Sequence, residues 1–116
     1  LSDLRAAGRR MMVATSKPEE FTHRILEHFG IARYFDFVGG NTMDESRPTK
    51  ADVVSHVLRS RSDAAPENTL MIGDRKYDVE GARAFGLYGY GSREELEQAK
   101  ARYIVESVAA LRDLLL

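Results

Sequence analysis

Short apolar runs and amphipathic stretches alternate along this chain, and their periods predict its elements. Residues 2–7 carry the pattern of a helix end, with Gly8 suited to cap it. "MMVAT" (11–15) is a continuous apolar run, as a fully buried strand requires. Ser16 and Glu19 have capping-box spacing, and Pro18 is tolerated in a first helical turn. Phe21, Ile25 and Phe29 then fall on one helical face, and Gly30 can end that helix. "FDFV" (35–38) predicts a second strand and "GGNTMDESRPT" (39–49) a loop. Lys50 to Arg59 predicts a helix with Val53, Val54, Val57 and Leu58 inward, and "RSDAAPEN" (61–68) a second loop.

"TLMI" (69–72) predicts a third strand, and Asp78 to Phe85 a helix that Gly86 can cap. "GYGS" (89–92) reads as a turn, with Ser92 and Glu95 at capping-box spacing before another helix. "YIV" (103–105) predicts a short strand, and Ser107 a cap for a last helix ending in "LRDLLL". Strand and helix alternate throughout, which argues for an α/β fold with a parallel sheet and helices on both faces. Nothing inside the chain demands a division into two domains, so 1–116 reads as one domain or part of one.

Composition narrows the partners. Hydrophobic residues at 43% and charged residues at 30% are an ordinary globular balance. A net charge of −1 offers no electrostatic footprint for nucleic acid or an anionic membrane. No cysteine is present, which excludes disulfides and thiolate metal sites and fits a reducing, cytoplasmic setting. No apolar run approaches the ~20 residues that span a bilayer, and no signal peptide is visible. The first residue is Leu, not Met, so residues upstream are expected.

In open α/β sheets, sites form at the carboxyl ends of strands. Here the first strand ends in Thr15 and Ser16, the third in Gly73 and Asp74, and Lys50 heads the helix after the second strand and its loop. Asp74 and Asp78 supply hard oxygen ligands, and magnesium prefers one or two carboxylates with water and phosphate oxygens. Gly73 lets the backbone turn sharply and approach closely. A hydroxyl at a helix N-terminus suits a phosphate oxygen, and a lysine adds a point charge on the same anion. Each feature has a plainer explanation. A Thr-Ser pair can simply cap a helix, a lysine can be solvated surface, and a carboxylate pair can favour the helix dipole. Their conjunction at strand ends points to a phosphoryl group and a divalent cation.

The same segments resemble the haloacid dehalogenase-like superfamily of phosphohydrolases. "MMVATSKP" resembles its second motif, with Thr15 in the phosphoryl-binding position. "RPTKADVVSHVL" resembles the third, where Lys50 would neutralise phosphate and nucleophile charge. "MIGDRKYDVEGARAFG" resembles the fourth, Gly-Asp-x-x-x-Asp, where Asp74 would hold Mg²⁺ with Asp78 beside it, directly or through water. "TSKP", "YFDFVGG", "GDRKYDVEGAR" and "GYGSREELEQA" with "YIVES" look like the phosphoglycolate phosphatase-like branch. The resemblance implies a three-layer Rossmann-like core and a Mg²⁺-dependent phosphatase acting on a small phosphorylated metabolite, phosphoglycolate first among the candidates. Its mechanism is double displacement through an aspartyl-phosphate.

Two departures qualify it. The family's nucleophilic Asp-x-Asp segment, which follows its first strand, is not in this sequence, nor is the helical cap domain inserted after it. Thr15, Lys50 and Asp74 alone could hold phosphate and metal but not carry out covalent catalysis. Relatives also carry a buried strand before the "GYGS" turn, where only Leu87 and Tyr88 remain here. The expectation is therefore a partial core domain of an intact parent phosphatase, inactive by itself. The alternative is a fragment or phosphate- and metal-binding module without a nucleophile. A receiver-type signalling domain fits less well because Lys50 precedes the Gly-Asp motif, and a dinucleotide fold lacks Gly-x-Gly-x-x-Gly after a strand. Oligomeric state stays open, since an exposed sheet edge could drive association.

Overall fold

Two parallel strands, β1 (Met12–Pro18) and β2 (Phe37–Asn41), form the sheet of this computed structural model. It describes residues 1–83, 98, 103–105 and 107–116. The chain divides into two units, Leu1–Ser60 and Arg61–Leu116.

In the first unit a short helix, α1 (Ser2–Ala6), leads into β1, and α2 (Glu19–His28) connects β1 to β2. Gly8 and Gly30 follow α1 and α2 with φ of +75° and +67°, the left-handed values expected at those ends. α3 (Lys50–Arg59) follows β2, and both α2 and α3 pack against both strands. The core comprises Leu26 of α2 with Val53, Val54 and Val57 of α3. Burying each such side chain stabilises the fold by roughly 2 kcal/mol. Asp36 fastens the start of the sheet: its carboxylate accepts from the Met11 N–H at 3.3 Å and pairs with Arg5 at 2.9 Å.

Several boundaries differ from the sequence pattern. β1 runs on through Ser16 and Lys17 to Pro18, and Pro18 is the N-cap of α2 with no side-chain cap. The Ser16–Glu19 capping box therefore does not form. Proline disfavours helical backbone in the residue before it, so the chain stays extended through Lys17 and turns only at Glu19. β2 takes in Gly39, Gly40 and Asn41, which the composition assigned to a loop. Glycine is needed there by close approach. A Cβ on Gly39 would lie 2.3 Å from Val57 Cγ2, and one on Gly40 would lie 2.5 Å from the Lys17 carbonyl oxygen.

The stripe of Phe21, Ile25 and Phe29 is exposed, and the buried positions of α2 are Thr22 and Leu26. Helical spacing shows that a stripe exists, not which of two neighbouring rows meets the sheet. Thr22 tolerates burial because its hydroxyl donates to the Pro18 carbonyl at 3.0 Å.

The second unit contains a 3₁₀ turn (Pro66–Asn68), α4 (Lys76–Arg83) and α5 (Val108–Leu115). Ser107 caps α5 as expected, its Oγ accepting from the Ala110 N–H at 3.0 Å. The predicted strand at 69–72 is reduced to a single bridge residue, Leu70, and 103–105 is not a strand. The far end of the predicted 78–85 helix with its Gly86 cap, the "GYGS" turn, the helix after Ser92 and the shortened stretch at Leu87–Tyr88 lie outside the described residues. Among the described residues, no helix is long and apolar enough to cross a membrane.

Candidate functional site

Thr15 and Ser16 lie where the strand pairing breaks. Ala14 pairs with Gly39 and Pro18 with Asn41, so β1 advances four residues while β2 advances two. The extra residues put Thr15, Ser16 and Lys17 in a bulge, a device that re-aims side chains at a strand end. Thr15 is half-buried and Ser16 is exposed. Thr15 Oγ1 accepts from the Lys17 N–H at 3.2 Å, which leaves the hydroxyl proton for another oxygen.

Lys50 meets this segment from α3. Its Nζ donates to the Ala14 carbonyl at 3.1 Å, one residue before Thr15. It is also the first residue of α3, where a cation opposes the helix dipole.

A capping box fixes the start of α3. Thr49 Oγ1 accepts from the Asp52 N–H, and Asp52 Oδ2 accepts from the Thr49 N–H, both at 3.1 Å. The Thr49 hydroxyl also donates to that carboxylate. The hydroxyl and then the backbone of Thr49 hold Asp52 below the ordinary aspartate range. The standard pattern has Glu or Gln three residues after the cap, so Thr-x-x-Asp escaped the sequence reading.

Sequence reasoning also missed Glu19, Arg47 and His56. Glu19 Oε1 accepts from the Gly40 N–H at 3.2 Å and lies 2.8 Å from Arg47 Nη2 and 3.2 Å from His56 Nε2. Arg47 Nε donates to the Gly40 carbonyl at 2.9 Å. These residues come from three separate segments, so no local pattern announces them.

In the second unit, Asp74 is exposed and Asp78 is buried in the first turn of α4. Asp78 Oδ2 accepts from the Arg75 N–H at 3.2 Å. Gly73 packs directly on Asp78, since a Cβ there would lie 2.2 Å from Oδ2. The glycine thus serves close approach, without a left-handed φ.

Asp74 and Asp78 are hard oxygen donors of the kind a magnesium ion takes. Asp74 presents an exposed carboxylate, while Asp78 is held by backbone. Among the described residues there is no group of three or more His, Cys, Asp or Glu fit to hold a metal. A cation here would take most of its ligands from water and phosphate oxygens, which is the habit of Mg²⁺.

Comparison with known proteins places these residues in a family context. Residues 1–89 match the haloacid dehalogenase-like hydrolase family. The chain is 40% identical over 113 residues to tyrosine-protein kinase PtkA of Mycobacterium tuberculosis, covering 92% of this chain and 38% of that protein. It is 38% identical to a 5′-nucleotidase of Pseudomonas aeruginosa, covering 99% of this chain and 54% of that one. It is 32% identical to the phosphoglycolate phosphatase of Vibrio vulnificus, covering 100% and 53%. Among solved structures, a predicted phosphatase from Clostridium acetobutylicum superimposes with a TM-score of 0.94 at 42% identity, covering 98% of this chain and 55% of that one. The chain therefore spans about half the length of these relatives, or less.

Proposed function

Because this chain belongs to the haloacid dehalogenase-like hydrolase family, with phosphoglycolate phosphatases among its relatives, we propose that it supplies the phosphate- and metal-binding residues of a Mg²⁺-dependent phosphomonoesterase. The observation that carries this reading is the Lys50–Ala14 bond, which holds an ammonium group beside Thr15 at the bulged end of β1.

Each residue has a part. The Thr15 hydroxyl donates to a phosphoryl oxygen, and Ser16, on the exposed part of the bulge, offers a second donor. Lys50 offsets negative charge that grows as the phosphoryl group transfers. Asp74 would hold Mg²⁺, with Asp78 ordering the turn or contacting the ion through water. When bound, that ion neutralises charge on the phosphoryl oxygens. The attacking carboxylate implied by the family resemblance is not among these 116 residues. Hydrolysis, through an aspartyl-phosphate, is thus a property of the whole protein, and this chain alone is expected to be inactive.

The substrate class is a small phosphate monoester, with phosphoglycolate and nucleoside monophosphates as the candidates supported by the relatives. A second reading has one specific support, the 40% identity to a tyrosine-protein kinase: transfer of the phosphoryl group to a tyrosine hydroxyl. Incubating the whole protein with Mg²⁺ and each monoester, and separately with ATP and a tyrosine-containing peptide, separates the two. Release of inorganic phosphate from a monoester supports the phosphatase. Phosphotyrosine without monoester hydrolysis supports the kinase and overturns the phosphatase.

A further inference from the structure

We infer that Glu19, Arg47 and His56 are positioning residues that lock the Thr15 bulge to the loop delivering Lys50. The inference rests on the phosphatase reading above and extends it to residues that touch neither phosphate nor metal.

The geometry is that of a joint. One oxygen of Glu19 accepts from two N–H donors, the Gly40 amide and the Arg47 guanidinium, and lies 3.2 Å from His56 Nε2. Arg47 reaches Gly40 from the other side, its Nε donating to that residue's carbonyl. Both backbone groups of Gly40 are thereby held by side chains. Gly40 also packs so closely on the Lys17 carbonyl that no Cβ fits. The end of β2 is thus clamped against the turn from β1 into α2.

Thr15 and Lys50, two of the proposed phosphate-binding residues, hang from this joint by short tethers. Thr15 lies four residues before Glu19, and Lys50 lies three after Arg47. The loop between β2 and Arg47 is closed in the same place, because Asn41 Oδ1 accepts from the N–H groups of Thr42 (2.9 Å) and Arg47 (3.1 Å). His56, six residues along α3 from Lys50, packs edge-on against Phe37, with ring centroids 5.5 Å apart. All three side chains are about one-fifth to one-third exposed, so their charges are partly shielded from water. Such pairs are stronger than open surface pairs, and an Arg fork shared between a carboxylate and a carbonyl is geometrically specific. Displacements near 1 Å in a phosphoryl-transfer site cost about 10²-fold in rate, so a joint of this kind bears directly on turnover.

The test is a double-mutant cycle on the whole protein, assayed with p-nitrophenyl phosphate and Mg²⁺ at a temperature where circular dichroism shows every variant folded. Arg47→Ala should lower kcat roughly 10- to 100-fold in the wild-type background. In a Lys50→Ala background its further loss should be at least about threefold smaller, because part of its effect passes through Lys50 and only the part through Thr15 remains. Glu19→Gln, which keeps the shape of the joint, should behave the same way and carries the test if Arg47→Ala does not fold. Loss of equal size in both backgrounds, or turnover within about threefold of wild type, overturns the inference and leaves the phosphatase reading intact. A wild-type protein that hydrolyses no monoester overturns both.

Discussion

Lys50 Nζ donates to the Ala14 carbonyl oxygen at 3.1 Å across 36 residues of sequence. The bond joins the first residue of α3 to the end of the regular part of β1, at the residue before Thr15. Removing the ammonium should leave the packing of α3 unchanged, since Val53, Val54 and Val57 carry that burial. Lys50→Ala is therefore expected to lower turnover of the whole protein roughly 10²- to 10³-fold, with little change in melting temperature. Thr15→Val, which keeps the volume and removes the donor, should weaken phosphate binding and rate. Steady-state kinetics with p-nitrophenyl phosphate checks both, and unchanged rates would return Lys50 to a surface role and Thr15 to a packing role.

The contact between Gly73 and Asp78 makes a different prediction. Gly73→Ala would push a methyl group to 2.2 Å from the Asp78 carboxylate and 2.4 Å from its Cβ. Asp78 is buried, so it cannot yield without losing its bond from the Arg75 N–H. The substitution should cost roughly 1–3 kcal/mol, read as a lower denaturant midpoint at unchanged slope. An unchanged midpoint would mean that the turn has room to relax.

Stability should fall in acid through the start of α3. Asp52 is held below its ordinary value of 3.8 by the hydroxyl and backbone of Thr49. Asp44 is lowered in the same direction, first by Thr42 and then by the Ser46 backbone. A carboxylate whose pKa is depressed by folding contributes stability above the unfolded value. That contribution is lost as pH falls from 3.8 through the lower folded value. An NMR titration should find the Asp52 midpoint below 3.8 in the wild type and returned toward it in Thr49→Val. Identical midpoints in the two proteins would contradict the capping box.

The core can be weighed against the exposed stripe. Val53 is 0% exposed and Phe29 is 68% exposed. In this chain, Val53→Ala should cost roughly 2 kcal/mol, while Phe29→Ser should change stability by less than about 0.5 kcal/mol. Denaturant unfolding of the two variants checks the order. A larger loss from Phe29→Ser would show that the Phe21–Ile25–Phe29 face is covered in solution.

Local chemistry was the legible part of this sequence. Gly8, Gly30 and Ser107 act as the caps their residue types suggest, and the valines of α3 face inward as their spacing requires. The α/β class followed from alternation alone. What was hidden depends on contacts between distant segments. Gly39 and Gly40 look like loop residues until Val57 and the Lys17 carbonyl are seen against them. Ser16 and Glu19 look like a capping box until Pro18 holds the preceding backbone extended. The 69–72 run has strand composition, but among the described residues only its Leu70 is a bridge residue. Motif spacing singled out Thr15 and Lys50 in the first unit, where Lys50 reaches the carbonyl before Thr15, and Asp74 and Asp78 in the second. Glu19, Arg47 and His56 were not singled out, because they come from three separate segments, α2, the loop after β2 and α3.

The central claim is that Asp74 serves a magnesium-dependent phosphatase centre, and one comparison tests it most directly. Mg²⁺ binding by calorimetry and Mg²⁺-dependent hydrolysis of p-nitrophenyl phosphate would be measured for the whole protein and for Asp74→Asn. The account predicts measurable binding and turnover in the wild type, with binding weakened and turnover nearly abolished in the variant. Equal binding and equal turnover in the two proteins would contradict it.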